Sequence, residues 1–431
     1  MKEQNTRKVG ICGWELSHNA AGRAVTLLDL YNRAPDCEAR LIGCIFPAWG
    51  NQLWSPLRGL DIDADAVLVD DQAGFLGQAE QLVRRNPLDV VHLSKPKLPN
   101  IIIGLLYKLI WRAKVLVDID DEELAFVGAD GPVVAPSDLD AVMENLTARP
   151  ATQLAVGLSR YFDGVTVSGP TLQSVYGGEV VPHARDEGEF SPSLARRRLN
   201  RGLFGIPDDQ KVVLFCGTPR KHKGIFDTAE ALAELGRGDV RFVLVGDFPF
   251  ADVKEELLHI KGVNFQFVAG QSYRDTADVV SIGDVVVLLQ DASSRASQFQ
   301  VPAKLTDAMA MGLAVLAQDL PAVHDLGAAG AFTPVTKDNL TQTLANTLDT
   351  LGDPATSRAR SVFLDRLSMK CVAPRLQDYL HSCPNKASPR EQYHADLAPF
   401  LKNIMSDDGA HRARISDDFL KYLCGALAEL R

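Results

Sequence analysis

The residues best suited to chemistry form a basic loop. The stretch 218–224, TPRKHKG, places Arg220, Lys221 and Lys223 directly after the apolar run 212–216. Arg offers a planar two-pronged donor and Lys a compact point charge, a pairing that suits two adjacent phosphate groups. Gly217 and Gly224 bracket the loop and let a ligand approach the backbone closely. A solvated basic loop is the plainer reading of the same residues. A second anion-binding feature lies in 301–312, VPAKLTDAMAMG, where Pro302 suits the first turn of a short helix and Gly312 its stop. Unpaired N–H groups and the dipole at such a helix end favour a phosphate. Asp307 lies further along this helix, where a pair with Lys304 three residues earlier is its ordinary alternative.

A third group is acidic. In 114–124, KVLVDIDDEEL, Asp118, Asp120 and Asp121 stand at the end of an apolar run. Spaced carboxylates there could hold a divalent ion against a diphosphate, or cap the helix that follows. Near the N-terminus, His18 and Asn19 lie in a loop after the first apolar run, and a lone loop His is more often polar surface. The loop 46–56, FPAWGNQLWSP, carries Trp49 and Trp54. These rings could stack on the apolar face of a ligand, or fold back and pack. His92 ends an apolar run and reads equally well as a hydrogen-bonded core residue.

The elements that must position these residues alternate between strand-like and helical runs, the pattern of α/β units with parallel sheets. Strands are expected at 9–12, 40–45, 66–69, 90–93, 115–119 and 164–168. A second series begins afresh at 212–216, 242–245, 264–267, 285–289, 314–317 and 331–333. Near-continuous apolar runs such as 285–289 and 314–317 suit strands covered on both faces. The expected organisation is a first doubly wound domain over 1–190, a linker over 191–210 rich in Arg, Pro and Gly, a second doubly wound domain over 211–368, and helices over 369–431. Those last helices are expected to pack back on the first domain, or to contact a partner or a second copy.

Bulk properties narrow the classes. Lys plus Arg total 45 against 55 Asp plus Glu in 431 residues, a formal charge of -10 that argues against a sequence-independent grip on nucleic acid. The run 101–117 is interrupted by Lys108, Arg112 and Lys114, so it reads as an amphipathic helix entering a strand, with peripheral membrane contact as the lesser alternative. The opening residues MKEQNTRKVGIC contain no signal-peptide apolar region, so a cytoplasmic location is expected, with the inner membrane face as an option. Seven Cys (12, 37, 44, 216, 371, 383, 424) show no paired metal spacing, and reduced thiols are the expectation.

The segments GTPRKHKG and QVPAKLTDAMAMGLAVLAQDLP together resemble the C-terminal domain of GT-B glycosyltransferases of the group 1, family 4 type. The stretch 158–192 is similar to that family's interdomain passage, and FVLVGD to its next strand. The resemblance spans roughly residues 7–375. It implies two Rossmann-like domains facing across a cleft, and transfer of a sugar from a nucleotide-sugar to a carbohydrate or glycolipid acceptor in polysaccharide or glycoconjugate assembly. Anomeric configuration would be retained, with no metal and no cofactor beyond the nucleotide-sugar substrate. Arg220 and Lys223 would hold the diphosphate and stabilise the leaving nucleotide. Backbone N–H groups at Val301, Ala303 and Lys304 would cap the diphosphate, with Gly217 and, across the cleft, Gly22 approaching it. Gln300, beside Gln298, would offer neutral hydrogen bonds to the donor sugar. Asp307 takes the place of a ribose-binding Glu, and Phe299 occupies the place of an earlier acid. Asp120 stands where a side chain faces the sugar near its anomeric carbon, and His18, Asn19, Trp49 and Trp54 are the acceptor-side candidates. Two alternatives remain: a nucleotide-sugar epimerase of the same fold, and a nucleotide-sugar-binding scaffold subunit that has lost catalysis.

Overall fold

The computed structural model describes residues 6–72, 74–132, 142 and 145–385. The chain divides into two compact units, one formed by Met1–Val181 with Ala373–Arg431 and the other by Pro182–Val372.

In the first unit seven parallel strands form one sheet: β1 (Arg7–Gly13), β2 (Cys37–Ile45), β3 (Ala64–Leu68), β4 (Val90–Ser94), β5 (Lys114–Ile119), β6 (Gly164–Val167) and β7 (Glu179–Val180). Their order is β3-β2-β1-β4-β5-β6-β7, so the winding reverses between β1 and β4. Loops at the carboxyl ends of those two strands flank the crevice where open α/β sheets bind ligands. β1 and β2 approach closely at Gly13 and Gly43, which are register partners. A Cβ on Gly43 would lie 2.0 Å from the Gly13 carbonyl oxygen, so the approach requires glycine.

The helix Leu98–Ile110 joins β4 to β5 and is buried along nearly its whole length. Lys108, which gave this segment its amphipathic look, is 2% exposed, and its ammonium lies 2.8 Å from both carboxylate oxygens of Asp163. Core packing, the favoured reading of this segment, is what the helix shows. No helix among the described residues is long and apolar enough to cross a membrane. Residues from Ala373 onward in the helix Met369–Ser382 pack with the first unit. Tyr379 Oη accepts from the Val165 N–H at 3.1 Å, and Lys114 Nζ caps the helix end at the Leu380 and Cys383 carbonyls, 2.9 and 2.8 Å away. The stretch 386–431, where further helices are expected, lies outside the described residues.

The second unit's parallel sheet comprises β8 (Lys211–Cys216), β9 (Val240–Val245), β10 (Asn264–Val268), β11 (Val285–Leu288), β12 (Ala314–Ala317) and β13 (Thr333–Pro334). The order β10-β9-β8-β11-β12-β13 reverses between β8 and β11. Period-two alternation feeds both faces: Val212 and Leu214 of β8 enter one core, Val213 and Phe215 the other. Each fully buried Val or Leu contributes about 1.5–3 kcal/mol relative to exposure, which fixes the strand register firmly.

The expected linker 191–210 is instead largely a helix, Leu194–Leu203, belonging to the second unit. Ser193 caps it, its hydroxyl accepting from the Arg196 N–H. The basic residues that suggested a solvated connector are docking groups: Arg197 and Arg201 both pair with Asp284 at the start of β11, and Arg201 Nε donates to the Ile282 carbonyl at 3.0 Å.

Candidate functional site

In the second unit, the loops after β8 and β11 flank the point of reversal, and one of them is the basic stretch 218–224. Gly224 takes a left-handed φ of 69° between the short 3-10 turn Lys221–Lys223 and the helix Ile225–Leu235. A Cβ there would lie 2.6 Å from Leu289 Cβ, so the glycine lets the basic loop close against the end of β11. Within the loop the charges divide. Lys221 is exposed and pairs with Glu256 at 2.6 Å and Asp252 at 3.6 Å, so for this residue the solvated-surface reading is the right one. Lys223 is half-buried, and its ammonium donates to the Thr218 carbonyl at 3.0 Å.

The helix after β11 covers Ala303–Ala310 with Pro302 at its N-cap, one residue later than the sequence suggested. Lys304, in its first turn, projects back toward the N-terminal end as helical side chains do. Its ammonium lies 4.3 Å from the centroid of the Phe215 ring, and its Cε is 3.0 Å from where a Cβ on Gly217 would sit. Arg220, Lys223 and Lys304 show no ion pair to any described carboxylate. Burial pushes Lys223 down to about 8, with Arg220 adding to the shift. Burial and then Lys223 push Lys304 down to about 7, against smaller opposing effects of Cys216 and Asp307. His222 is also lowered, by partial burial and by Lys223, Arg220 and Lys304. One loop and one helix end thus share a positive field.

Asp307 is buried in the same helix, but its partner is neither Lys304 nor an open pocket. Arg185 Nε donates to its Oδ1 at 2.6 Å. The Arg185 guanidinium also lies over the Tyr273 and Phe190 rings, 5.5 Å from each centroid, and donates to Tyr273 Oη at 3.1 Å. Sequence reasoning missed Arg185; the signal was an Arg directly after the strand-like passage ending VVPHA. Val301 is a core residue, Ala303 is half-buried, and Gln300 Oε1 accepts from Gln290 Nε2 at 2.9 Å. Gln298 Nε2 donates to the Ala292 carbonyl, and Phe299 closes the short helix Arg295–Phe299.

In the first unit, the acids of β5 and its following turn are already provided with cations. Arg23 makes a bidentate pair with Asp118, Nε to Oδ2 at 2.8 Å and Nη2 to Oδ1 at 2.7 Å. Burial alone would raise Asp118, but Arg23 overcomes it and holds the carboxyl below its ordinary range. Lys95 Nζ lies 2.9 Å from Asp120, 2.5 Å from Asp121 and 3.3 Å from Glu123, while Lys97 Nζ is 2.6 Å from Glu123. The three carboxylates lie close enough together to share one cation, and the Lys95 ammonium contacts all three. Burial lifts Asp120 to about 7; Lys95 opposes this, while Asp121 and Asp118 add to it. Lys95 adopts a left-handed φ of 75°, a strain typical of sites that require a specific geometry. The KPK step after β4, at a point of sheet reversal, was the overlooked signal.

His18, Trp49, Trp14 and Phe46 form one aromatic cluster, with edge-on contacts of 5.2 Å between His18 and Trp49 and 5.3 Å between Trp14 and Trp49. His18 Nδ1 accepts from the Ala20 N–H at 3.0 Å. Trp49 keeps 44% of its surface exposed, enough for a ligand platform, and Asn19 is exposed. Trp54 folds back: its N–H donates to the Leu16 carbonyl, and its ring edge would lie 3.7 Å from a Cβ on Gly22. Close by, Trp14 Nε1 and Ser94 Oγ are buried with no hydrogen-bond partner among the described residues. Such unspent polar capacity at a sheet's point of reversal is what a hydroxyl-rich ligand would use. His92 is a core residue. Its Nε2 meets Thr166 Oγ1 at 2.9 Å and its Nδ1 meets Tyr31 Oη at 3.2 Å. Burial lowers it to about 4.

Residues 210–352 match the family model described as Glycosyl transferases group 1. Part of the chain is 27% identical over 113 residues to WcaI of Escherichia coli strain K12, named as a colanic acid biosynthesis glycosyl transferase. That match spans 26% of this chain and 27% of the relative, about a quarter of its length. The fold is similar to that of HepE from Anabaena, solved with UDP and glucose, at 18% identity and a TM-score of 0.64 over 87% of this chain and all of that one. It is also similar to sucrose-phosphate synthase from Thermosynechococcus elongatus, at 13% identity and a TM-score of 0.62 over 90% and 100% of the two chains. The two doubly wound units have the arrangement of the GT-B glycosyltransferase fold, and the match to the group 1 glycosyltransferase model lies in the second of them.

Proposed function

We propose that this protein transfers a sugar from a nucleoside-diphosphate sugar to a hydroxyl-bearing acceptor, with retention of anomeric configuration and without a metal ion. The observation that carries this reading is the positive pocket of the second unit. Arg220, Lys223 and Lys304 converge at the sheet's point of reversal without a carboxylate partner, in the part of the chain that matches group 1 glycosyltransferases. Side-chain cations and the N-terminus of the helix Ala303–Ala310 supply the charge that a divalent ion would otherwise bring to a diphosphate. The Asp120, Asp121 and Glu123 cluster, engaged with Lys95, supports the metal-free reading. The donor phosphate would take the acceptor's proton on the face from which the nucleotide departs. In the first unit, Trp49 and the polar atoms of Trp14 and Ser94, unpaired among the described residues, support a carbohydrate acceptor, and Asp120 would fix one of its hydroxyls. The likeness to WcaI, named for colanic acid biosynthesis, supports a role in polysaccharide assembly.

Incubating the protein with a panel of uridine, guanosine and adenosine diphosphate sugars, with and without saccharide acceptors, tests this reading. Acceptor-dependent release of nucleoside diphosphate is the expected result. An isomerised sugar formed without acceptor would make it an epimerase, and the absence of binding to every donor would remove the enzymatic reading altogether.

A further inference from the structure

The positive pocket holds one cation more than an intact donor needs. A nucleoside-diphosphate sugar carries about two negative charges on its diphosphate, and the departing nucleoside diphosphate carries about one more, which is where transition-state stabilisation must be aimed. Lys304 supplies a cation beyond the Arg220 and Lys223 pair. Its geometry is distinct from theirs: it reaches from the helix end across Gly217 and rests on the Phe215 ring, 4.3 Å from the centroid. An ammonium on an aromatic face is held weakly and keeps its hydrogen-bonding capacity for an incoming anion. The charged and titratable groups that face it are Lys223, His222, Cys216 and Asp307, with Arg220 beside Lys223. Of these Asp307 is the one carboxylate, and its charge is engaged by Arg185.

We propose that the Lys304 ammonium is a further catalytic cation, matched to the negative charge that appears on the terminal phosphate as the sugar departs. The inference rests on the donor-site reading above. In the step, the bond between the anomeric carbon and the phosphate oxygen breaks and its electron pair stays on that oxygen. The acceptor oxygen forms the new bond to the anomeric carbon, and its proton passes to the phosphate. Lys304 forms no covalent bond; it donates a charge-assisted hydrogen bond to the oxygen that gains the pair. Because its value is pushed down to about 7 in the unliganded protein, part of the Lys304 population is neutral near neutral pH, and anion binding draws a proton onto it.

Isothermal titration of the full-length protein tests this, using UDP, GDP, UDP-glucose and GDP-mannose against wild type, Lys304→Met and Lys304→Arg. Lys304→Met should weaken the free diphosphate by about tenfold or more while weakening the intact donor several-fold less, and Lys304→Arg should restore most of the difference. Titration in two buffers of different ionisation enthalpy at pH 7.5 should show greater net proton uptake by the wild type than by Lys304→Met, in which Lys223 still contributes. The unliganded Lys304→Met protein should resist denaturant at least as well as wild type, because a half-buried unpaired ammonium is removed. Equal loss for donor and free diphosphate, no loss for either, or unchanged proton uptake would overturn the inference while leaving the donor site standing. Failure of the wild type to bind any of the four ligands would overturn both.

Discussion

Arg220 and Lys223 are the residues on which the proposed donor binding would rest, and they differ in setting. Lys223 is half-buried against the Thr218 carbonyl and lowered to about 8, whereas Arg220 is exposed at the turn's N-cap. Replacing either by Ala should lower affinity for a nucleoside diphosphate roughly tenfold, as expected for one charge-assisted contact, and calorimetric titration would read this directly. Lys221→Ala should leave that affinity unchanged, because its charge is engaged with Glu256 and Asp252 on the surface. Asp307 answers to a different rule. Removing its carboxylate by Asp307→Ala strands the buried Arg185 guanidinium and should cost about 3 kcal/mol in denaturant unfolding. The double change with Arg185→Met should cost less than the sum of the two single changes, and strict additivity would show that the pair is not coupled.

The elements bear these residues through tight approaches and buried polar chains. Gly224→Ala would add both left-handed strain and a 2.6 Å clash with Leu289 Cβ, displacing the basic loop. It should therefore lower stability by more than about 1 kcal/mol and weaken diphosphate binding together. In the first unit, Tyr31, His92, Thr166, Asp118 and Arg23 form a buried hydrogen-bonded chain linking β4, β5 and β6 to the helix Ala21–Asn32. His92 is lowered to about 4, so between that value and its ordinary 6.5 the unfolded chain binds the extra proton and the folded protein does not. Stability should then fall as pH drops from about 6.5 toward 4, by about 3 kcal/mol at most from this residue, and His92→Gln should flatten that part of the profile. The strands were legible because burial on both faces leaves near-continuous apolar runs; β12 is found where the run 314–317 placed it. The helix Leu194–Leu203 was not legible, since Arg197 and Arg201 look like solvent-facing charges until Asp284, more than eighty residues away, comes beside them. For the same reason Lys108 suggested a membrane-facing stripe, although it is buried against Asp163.

At the scale of the molecule, two parallel sheets each reverse their winding once, and chemically able residues gather at both points of reversal. The two-fold strand series made this architecture readable from sequence, and the basic loop with the helix end marked the proposed diphosphate pocket of the second unit. The candidate residues of the first unit were far less legible. Lys95, Trp14 and Ser94 are scattered over separate loops and acquire meaning when the sheet brings β1 beside β4. The central claim is that the pocket built by Arg220, Lys223 and Lys304 receives the diphosphate of a nucleotide-sugar. Its most direct test is equilibrium titration of the full-length protein with a panel of nucleoside-diphosphate sugars, repeated on the Arg220→Ala, Lys223→Ala double variant. The account predicts saturable binding of at least one donor by the wild type, weakened about a hundredfold in the double variant. A wild type that binds none of them, or a double variant that binds equally well, would contradict it.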